Sequence, residues 1–235
     1  MVHYHGGPFS DSATAIAVWR ARHAMISFAR PEQTRMAAEI CQSFCLDNGA
    51  YSAWRKGLKF DIDKYYGWLS DWINHPGCDF AIIPDKIGGT EKENDELLSS
   101  WPFETWRSCA VWHMHERLSR LNRLVTEWPR VAIGSSGAFQ TPGTEEWWTR
   151  IGKAMRVCCG SSGQPKTRIH GLRMLNPEIF RHLPLASADS TNVARNVQFD
   201  SRWNGPYTPM SKRVRGIVLV DRIESDNSVA TWTPR

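Results

Sequence analysis

Eight short β-compatible runs recur along this chain with helical patterns between them, and few folds tolerate that order. The runs lie at 2–5 (V-H-Y-H), 24–29 (A-M-I-S-F-A), 43–47 (S-F-C-L-D), 80–85 (F-A-I-I-P-D), 109–113 (C-A-V-W-H), 131–135 (V-A-I-G-S), 168–172 (R-I-H-G-L) and 184–188 (P-L-A-S-A). Each ends near Gly, Pro, Ser or an acid, as strands do. Between them, residues 61–75 place Tyr65, Trp68, Leu69, Trp72 and Ile73 on one helical face, and 115–128 do the same with Leu118, Leu121, Val125 and Trp128. A third helix over 144–158 begins at Thr144, a plausible cap, and carries Trp147, Ile151, Ala154, Met155 and Cys158. Parallel strands need crossover helices, so repeated β-then-α units predict a parallel sheet, and eight such units predict a closed, compact α/β barrel of the TIM (β/α)8 type. The short first run and a brief helix at 176–182 are its weakest units, which leaves a doubly wound sheet as the alternative.

The 235 residues suit one barrel domain spanning 1–235, with a basic segment from about 195 to 235 that includes G-I-V-L-V-D-R-I, a candidate closing helix. With 41% hydrophobic and 23% charged residues, the composition is that of a globular chain with a real core. A net charge of +5 permits a polyanionic partner without requiring one. The six cysteines show no C-x-x-C spacing, nothing at the N-terminus reads as a signal peptide, and no apolar run is long enough to span a membrane. The expected setting is therefore reducing and cytoplasmic. Most of the twelve tryptophans fit amphipathic helix faces, and a few are candidates for stacking on bases.

In such a barrel, catalytic groups stand at the C-terminal ends of the strands. Here those positions hold His5-Gly6-Gly7, Asp47-Asn48-Gly49, Asp85, His113 and His115, Ser135-Ser136-Gly137, His170-Gly171 and Asp189-Ser190. Ordinary structural roles compete for each: Asp47 as a turn residue, Asp85 as a partner of Lys86 or a cap, and Asp189 as a helix cap. His113 and His115 alternate on a strand and should point to opposite faces, with His113 the one facing the centre. A metal site would have to be assembled from several strands, and no metal is expected. The stretch G-S-S-G at 134–137 lacks the phosphate-loop pattern, no G-x-G-x-x-G follows a strand, and no G-x-S-x-G elbow occurs. The same glycines suit a lining that lets a flat ring come close. The cysteines read as packing residues.

Three of these strand ends carry a resemblance. L-D-N-G-A-Y-S (46–52) is similar to the D-S-G-[GA]-[FY]-[QS] signature of tRNA-guanine transglycosylases, I-I-P-D (82–85) to their base-recognition aspartate, and A-S-A-D-S (186–190) to the motif of their catalytic aspartate. The order is the family's own, and the set spans roughly residues 43 to 196. The chain more closely resembles compact phage and prophage members linked to 7-deazaguanine in DNA.

The resemblance implies base exchange on a nucleic acid without a cofactor. Asp189 would be the nucleophile at the sugar C1′, Asp47 the general acid/base, and Asp85 the acceptor of the purine N1–H and exocyclic amine. His113 and Gly134, Ser135, Ser136 and Gly137 would contact the base, with His170 and Ser190 also placed at the substrate. The chemistry parallels retaining glycosidases, in which one carboxylate captures the anomeric carbon and another manages the proton.

The C-x-C-x-x-C…H zinc site of the tRNA enzymes has no counterpart, so the zinc-binding subdomain and its tRNA docking are not expected. Nucleic acid would be held instead by the basic segment, where Arg195, Arg202, Lys212, Arg213 and Arg215 surround Trp203 and Tyr207. A solvated basic loop is the competing explanation. The partners expected are DNA, with tRNA second, and a free 7-deazaguanine base such as preQ0; a duplex would need its guanine flipped out. An N-glycosylase that hydrolyses the same bond, and a non-catalytic nucleic-acid-binding barrel in a modification complex, stand as alternatives. Oligomeric state, sequence preference and any partner protein are open at this stage.

Overall fold

A computed structural model describes residues 1–198 and 209–234. The chain forms eight units in order: β1 (Val2–Gly6), α1 (Ser12–Trp19), β2 (His23–Ser27), α2 (Thr34–Ile40), β3 (Ser43–Asp47), α3 (Ala50–Arg55), α4 (Ile62–Trp72), β4 (Cys78–Ile82), α5 (Glu91–Ser99), β5 (Ser108–His113), α6 (Leu118–Glu127), β6 (Arg130–Gly134), α7 (Glu145–Cys159), β7 (Arg168–Leu172), α8 (Pro177–Phe180), β8 (Ser187–Ser190), α9 (Asn192–Asn196) and α10 (Lys212–Glu224). All eight strands are parallel and pair in sequence order, and β1 closes on β8 with Tyr4 opposite Asp189. The doubly wound alternative is thereby excluded.

The helices start where the sequence supplies caps. Asp11 accepts from the Thr14 N–H at 2.7 Å to open α1, Thr90 and Glu93 form a reciprocal capping box on α5, and the Thr144 hydroxyl caps α7. Their apolar stripes pack on the outside of the barrel: Tyr65, Leu69 and Ile73, Leu121, Leu124 and Val125, and Trp147, Ile151 and Met155 are all buried there. α10 lays Gly216 against Val18 of α1 and Val197, where a Cβ would stand 2.9 Å from the valine methyl.

Inside the barrel, the two-residue period of the strands selects the side chains. Tyr4, Met25, Cys45, Phe80, Ile82, Cys109, Val111 and Ala132 fill the interior. Two residues further along their strands, Gly6, Ser27, Asp47, His113 and Gly134 face the same axis one layer higher, at the open end. No helix among the described residues is long and apolar enough to cross a membrane.

The largest departures from the expected strand boundaries, three residues each, fall at β8 and β4. β8 runs over Ser187–Ser190 rather than 184–188, because Pro184 has no N–H to give the ladder and Leu185 turns into the outer core; Asp189 therefore lies within the strand. β4 ends at Ile82, and the Ile83-Pro84 pair carries the chain out of the ladder, leaving Asp85 in the loop beyond.

Candidate active site

A cavity of about 1050 Å³ opens at the C-terminal ends of the strands. Asp47, Asp85 and Asp189 all line it, with His113, His115 and the segment Gly134–Gly137 on one wall. A cavity of this volume at this end of a parallel barrel has room for a small-molecule ligand.

Asp47 ends β3 with its side chain pointing into the cavity. Its Oδ2 accepts from the Gly49 N–H at 3.1 Å, so it does form the turn bond its sequence suggests. Gly49 adopts φ +74°, and a Cβ there would meet the Ala29 nitrogen at 2.8 Å; only glycine allows this turn. Loss of solvent pushes the Asp47 carboxyl up to about 6, against a hydrogen bond from Ser27, and the negative charges of Asp189 and Asp85 push the same way. Asp47 is thus held ready to carry a proton near neutrality.

Asp85 is fixed through both oxygens. Asn48 donates its amide to Oδ1 at 2.6 Å and to the Ile83 carbonyl at 3.0 Å, while its own carbonyl oxygen accepts from the Ala50 N–H at 2.8 Å. His113 Nε2 stands 2.9 Å from Asp85 Oδ2. Burial alone would lower the His113 pKa, but the adjoining Asp85 carboxylate, aided by Glu116, raises it above its ordinary value. Glu116, itself buried, accepts from the His113 N–H at 2.9 Å, from Arg120 at 2.7 Å and from Asn94 at 3.0 Å, which locks the end of β5. Lys86, the expected competitor for Asp85, pairs with Glu93 instead.

Asp189 does not cap α9: the residue before that helix is Thr191, whose own side chain makes no capping bond. Its Oδ1 accepts from the Arg173 N–H at 2.9 Å, and no described donor reaches Oδ2. Arg173 adopts φ +58°, a left-handed conformation that costs a side-chain-bearing residue about 1 kcal/mol or more. Its guanidinium lies 4.2 Å over the Tyr51 ring and donates to the Ser135 carbonyl at 3.0 Å.

Several expected contacts need revision. His170 is fully buried beneath the cavity floor rather than lining it: Nδ1 bonds the Ser187 hydroxyl at 2.9 Å, and Nε2 lies 3.4 Å from Asp189 Oδ1 without a hydrogen-bond partner. Burial lowers its pKa more than Asp189 raises it, so it sits under the acid as a neutral ring. Ser190 turns away from the cavity, and its hydroxyl accepts from the Asn192 N–H at 2.9 Å. His115 does not face opposite to His113, because β5 stops at His113 and strand alternation stops with it. The two rings stack at 5.6 Å and both line the cavity.

Gly134 and Gly137 give those rings room. A Cβ on Gly134 would stand 3.3 Å from His113 Nδ1, and one on Gly137 would stand 3.2 Å from the His115 Cβ. Ser135 accepts from the Trp147 indole N–H at 2.9 Å, and the Ser136 hydroxyl meets His115 Nδ1 at 2.8 Å.

Of the basic segment, Arg195 lines the cavity, whereas Lys212 and Arg213 sit on the first turn of α10 outside it. Arg215 bonds the Val197 and Pro209 carbonyls and is structural. Arg202, Trp203 and Tyr207 lie outside the described residues. The sequence reading missed Arg30, Tyr51, Trp54, Arg55 and Arg173, which complete the mouth. For three of them a signal was present: Y-S-A-W-R (51–55) follows the first acidic motif directly and mixes aromatics with a cation.

All six cysteines are unpaired, and none lines the cavity. Burial pushes the thiols of Cys41, Cys78 and Cys109 up to about 12, as packing residues require and nucleophiles do not. Among the described residues no cluster of three His, Cys, Asp or Glu side chains has the arrangement of a metal site. No protein-family model matches the chain, and no curated protein sequence matches it. The functional reading therefore rests on the residues themselves.

Proposed function

We propose that this chain is a nucleic-acid guanine transglycosylase that exchanges guanine, in DNA in preference to tRNA, for a free 7-deazaguanine base of the preQ0 type. The observation that carries the reading is the meeting of Asp47, Asp85 and Asp189 in one cavity at the strand ends, each held in a different chemical state. Asp47 is shifted to about 6. Asp85 is clamped between an amide and an imidazole. Asp189 is anchored through Oδ1 alone.

Each state fits one role in a double displacement. Asp189 Oδ2 attacks C1′ of the target nucleotide. The C1′–N9 bond breaks, its electron pair leaves with guanine, and protonated Asp47 supplies the proton that neutralises the departing base. The incoming base then gives its N9 proton to the Asp47 carboxylate, and the N9 electron pair attacks C1′. The bond to Asp189 breaks, which restores protonated Asp47 and the Asp189 carboxylate without any net redox change. After the Asn48 hydrogen bond to Oδ1 and the His113 ion pair at Oδ2, Asp85 keeps lone pairs on both oxygens, enough to accept the purine N1–H and exocyclic amine. The glycine-lined wall admits the ring edge.

Asp189→Asn keeps the Arg173 bond, since an amide oxygen still accepts, but removes the nucleophile. Exchange should fall by about 10³-fold or more with the melting temperature unchanged. Denaturing electrophoresis of the wild-type protein with guanine-containing DNA should show a covalent adduct that mass spectrometry maps to Asp189; full exchange by Asp189→Asn contradicts the mechanism. Release of guanine with an abasic sugar and no incorporated base would move the chain to the N-glycosylases.

A further inference from the structure

The mouth carries aromatic surface that a single nucleoside in the cavity would leave uncovered. Tyr51 lines the cavity with the Arg173 guanidinium on one face at 4.2 Å, and its ring lies 5.9 Å from Trp54 at an interplanar angle of 35°. Trp54 is 56% exposed and Leu58, just beyond α3, is 61% exposed, whereas Trp19, Trp112 and Trp147 are fully buried. The three groups thus form a ladder of flat faces that leads from the cavity to the surface. Trp106 is as open, at 60%, but has the Arg107 guanidinium 4.4 Å over its ring, whereas Trp54 stands at the cavity mouth, where the flat face of a ligand can cover it.

The surroundings name the chemistry of that ligand. Arg55 lines the mouth beside Trp54, Arg30 lines it from the loop after β2, and Lys56 and Lys59 follow along the chain. Arg55, Lys56 and Lys59 enter none of the described ion pairs, whereas Arg30 has Glu32 at 3.5 Å on the exposed rim. A flat face interleaved with uncommitted cations is the pattern that binds a single-stranded polynucleotide: stacking on the base and charge on the backbone.

We propose that α3 is the strand-gripping element of this protein, with Trp54 stacked on the base next to the one that enters the cavity and Arg55 and Arg30 on the flanking phosphates. The inference rests on the transglycosylase reading for the identity of the base in the cavity. It adds that at least one neighbour of the target base is unpaired, and it places a grip on α3 besides the one expected of the basic C-terminal segment. A base taken out of a stack leaves its neighbour with one bare face, and the indole is placed to cover it.

The test is direct binding by the full chain, read by fluorescence anisotropy, of a short labelled guanine-containing single strand, in the Asp189→Asn background so that no turnover intervenes. Trp54→Ala should weaken binding about tenfold or more, and Trp54→Phe should recover most of the loss. Guanosine, measured by competition, should bind both variants equally. Replacing Arg55 and Arg30 by Ala together should flatten the slope of log affinity against log salt by about 1.4, at about 0.7 per phosphate contact on a single strand. Unchanged affinity in Trp54→Ala overturns the proposal, because it would reduce the surface to charge alone. Failure of the transglycosylase reading looks different: a strand bound with full dependence on Trp54, yet no base exchanged by the wild-type chain.

Discussion

Asn48 and Asp85 come from the loops after two neighbouring strands, yet the amide of one donates to the carboxylate of the other at 2.6 Å. The same amide reaches the Ile83 carbonyl, and the Asn48 carbonyl oxygen holds the Ala50 N–H. One buried side chain thus joins the loop after β3 to the loop after β4. It also stands where the transglycosylase signature has serine, whose single hydroxyl could not make all three bonds.

Replacing Asn48 by alanine strands a carbonyl, a backbone N–H and a carboxylate oxygen together. The expected cost is about 2–4 kcal/mol, read as a lower urea midpoint at unchanged slope. Discrimination between guanine and adenine should weaken in the same variant, because Asp85 loses its fixed orientation. An unaltered midpoint would show that water replaces the amide without loss.

The Asp85–His113 pair predicts a pH dependence with a definite sign. His113 is raised above its ordinary 6.5 in the folded protein, so the pair's stabilising contribution is complete below about pH 6.5 and is lost as pH rises through the higher folded value. The stability gap between wild type and His113→Gln should therefore be largest below pH 6.5 and shrink above it. Thermal melts of both proteins across pH 5.5 to 9 measure this; a gap that widens with pH contradicts the assignment.

Asp47 predicts the cost of shielding an acid from solvent. Its carboxyl is raised from 3.8 to about 6, so holding it ionised costs the folded state up to about 3 kcal/mol at about 1.4 kcal/mol per pH unit. Asp47→Asn should match wild type in stability below about pH 4, exceed it increasingly up to about pH 6 and by a constant margin above that, while base exchange is lost. Denaturant titrations at pH 4 and pH 7.5 compare the two directly. Equal stability at both pH values would show that Asp47 is solvated rather than shielded.

Arg173 serves Asp189 through its backbone N–H and the mouth through its guanidinium, at φ +58°. Comparing Arg173→Gly with Arg173→Ala separates the two. Both lose the guanidinium and both keep the N–H, but only glycine relieves the left-handed strain, so Arg173→Gly should be the more stable by about 1 kcal/mol. Differential scanning calorimetry resolves the difference. The reverse order would mean that the loop changes conformation once the arginine is gone.

The barrel was legible in the sequence because strands buried on both faces read as short apolar runs, and parallel order forces a helix between them. Ile82 and Ile83 or Ala110 and Val111 announce themselves this way. The acids at strand ends were legible for the same reason, since each interrupts such a run. Arg173 was not: nothing in R-M-L-N shows that its backbone turns left-handed. Nor was the stacking of His115 on His113, which depends on where β5 stops, or the burial of His170, whose polar neighbour Ser187 comes from the next strand. Long-range pairings such as Asn48 with Asp85 are set by barrel closure, which no local pattern contains.

The most direct measurement is incubation of the wild-type protein with guanine-containing DNA, and separately with tRNA, in the presence of isotope-labelled preQ0, followed by nucleoside mass spectrometry. The account predicts labelled 7-deazaguanine nucleoside in the DNA, one guanine released for each base incorporated, and neither product with Asp189→Asn. Label in tRNA alone would contradict the choice of DNA. Label in neither, with the strand still bound across α3, would contradict the transglycosylase itself.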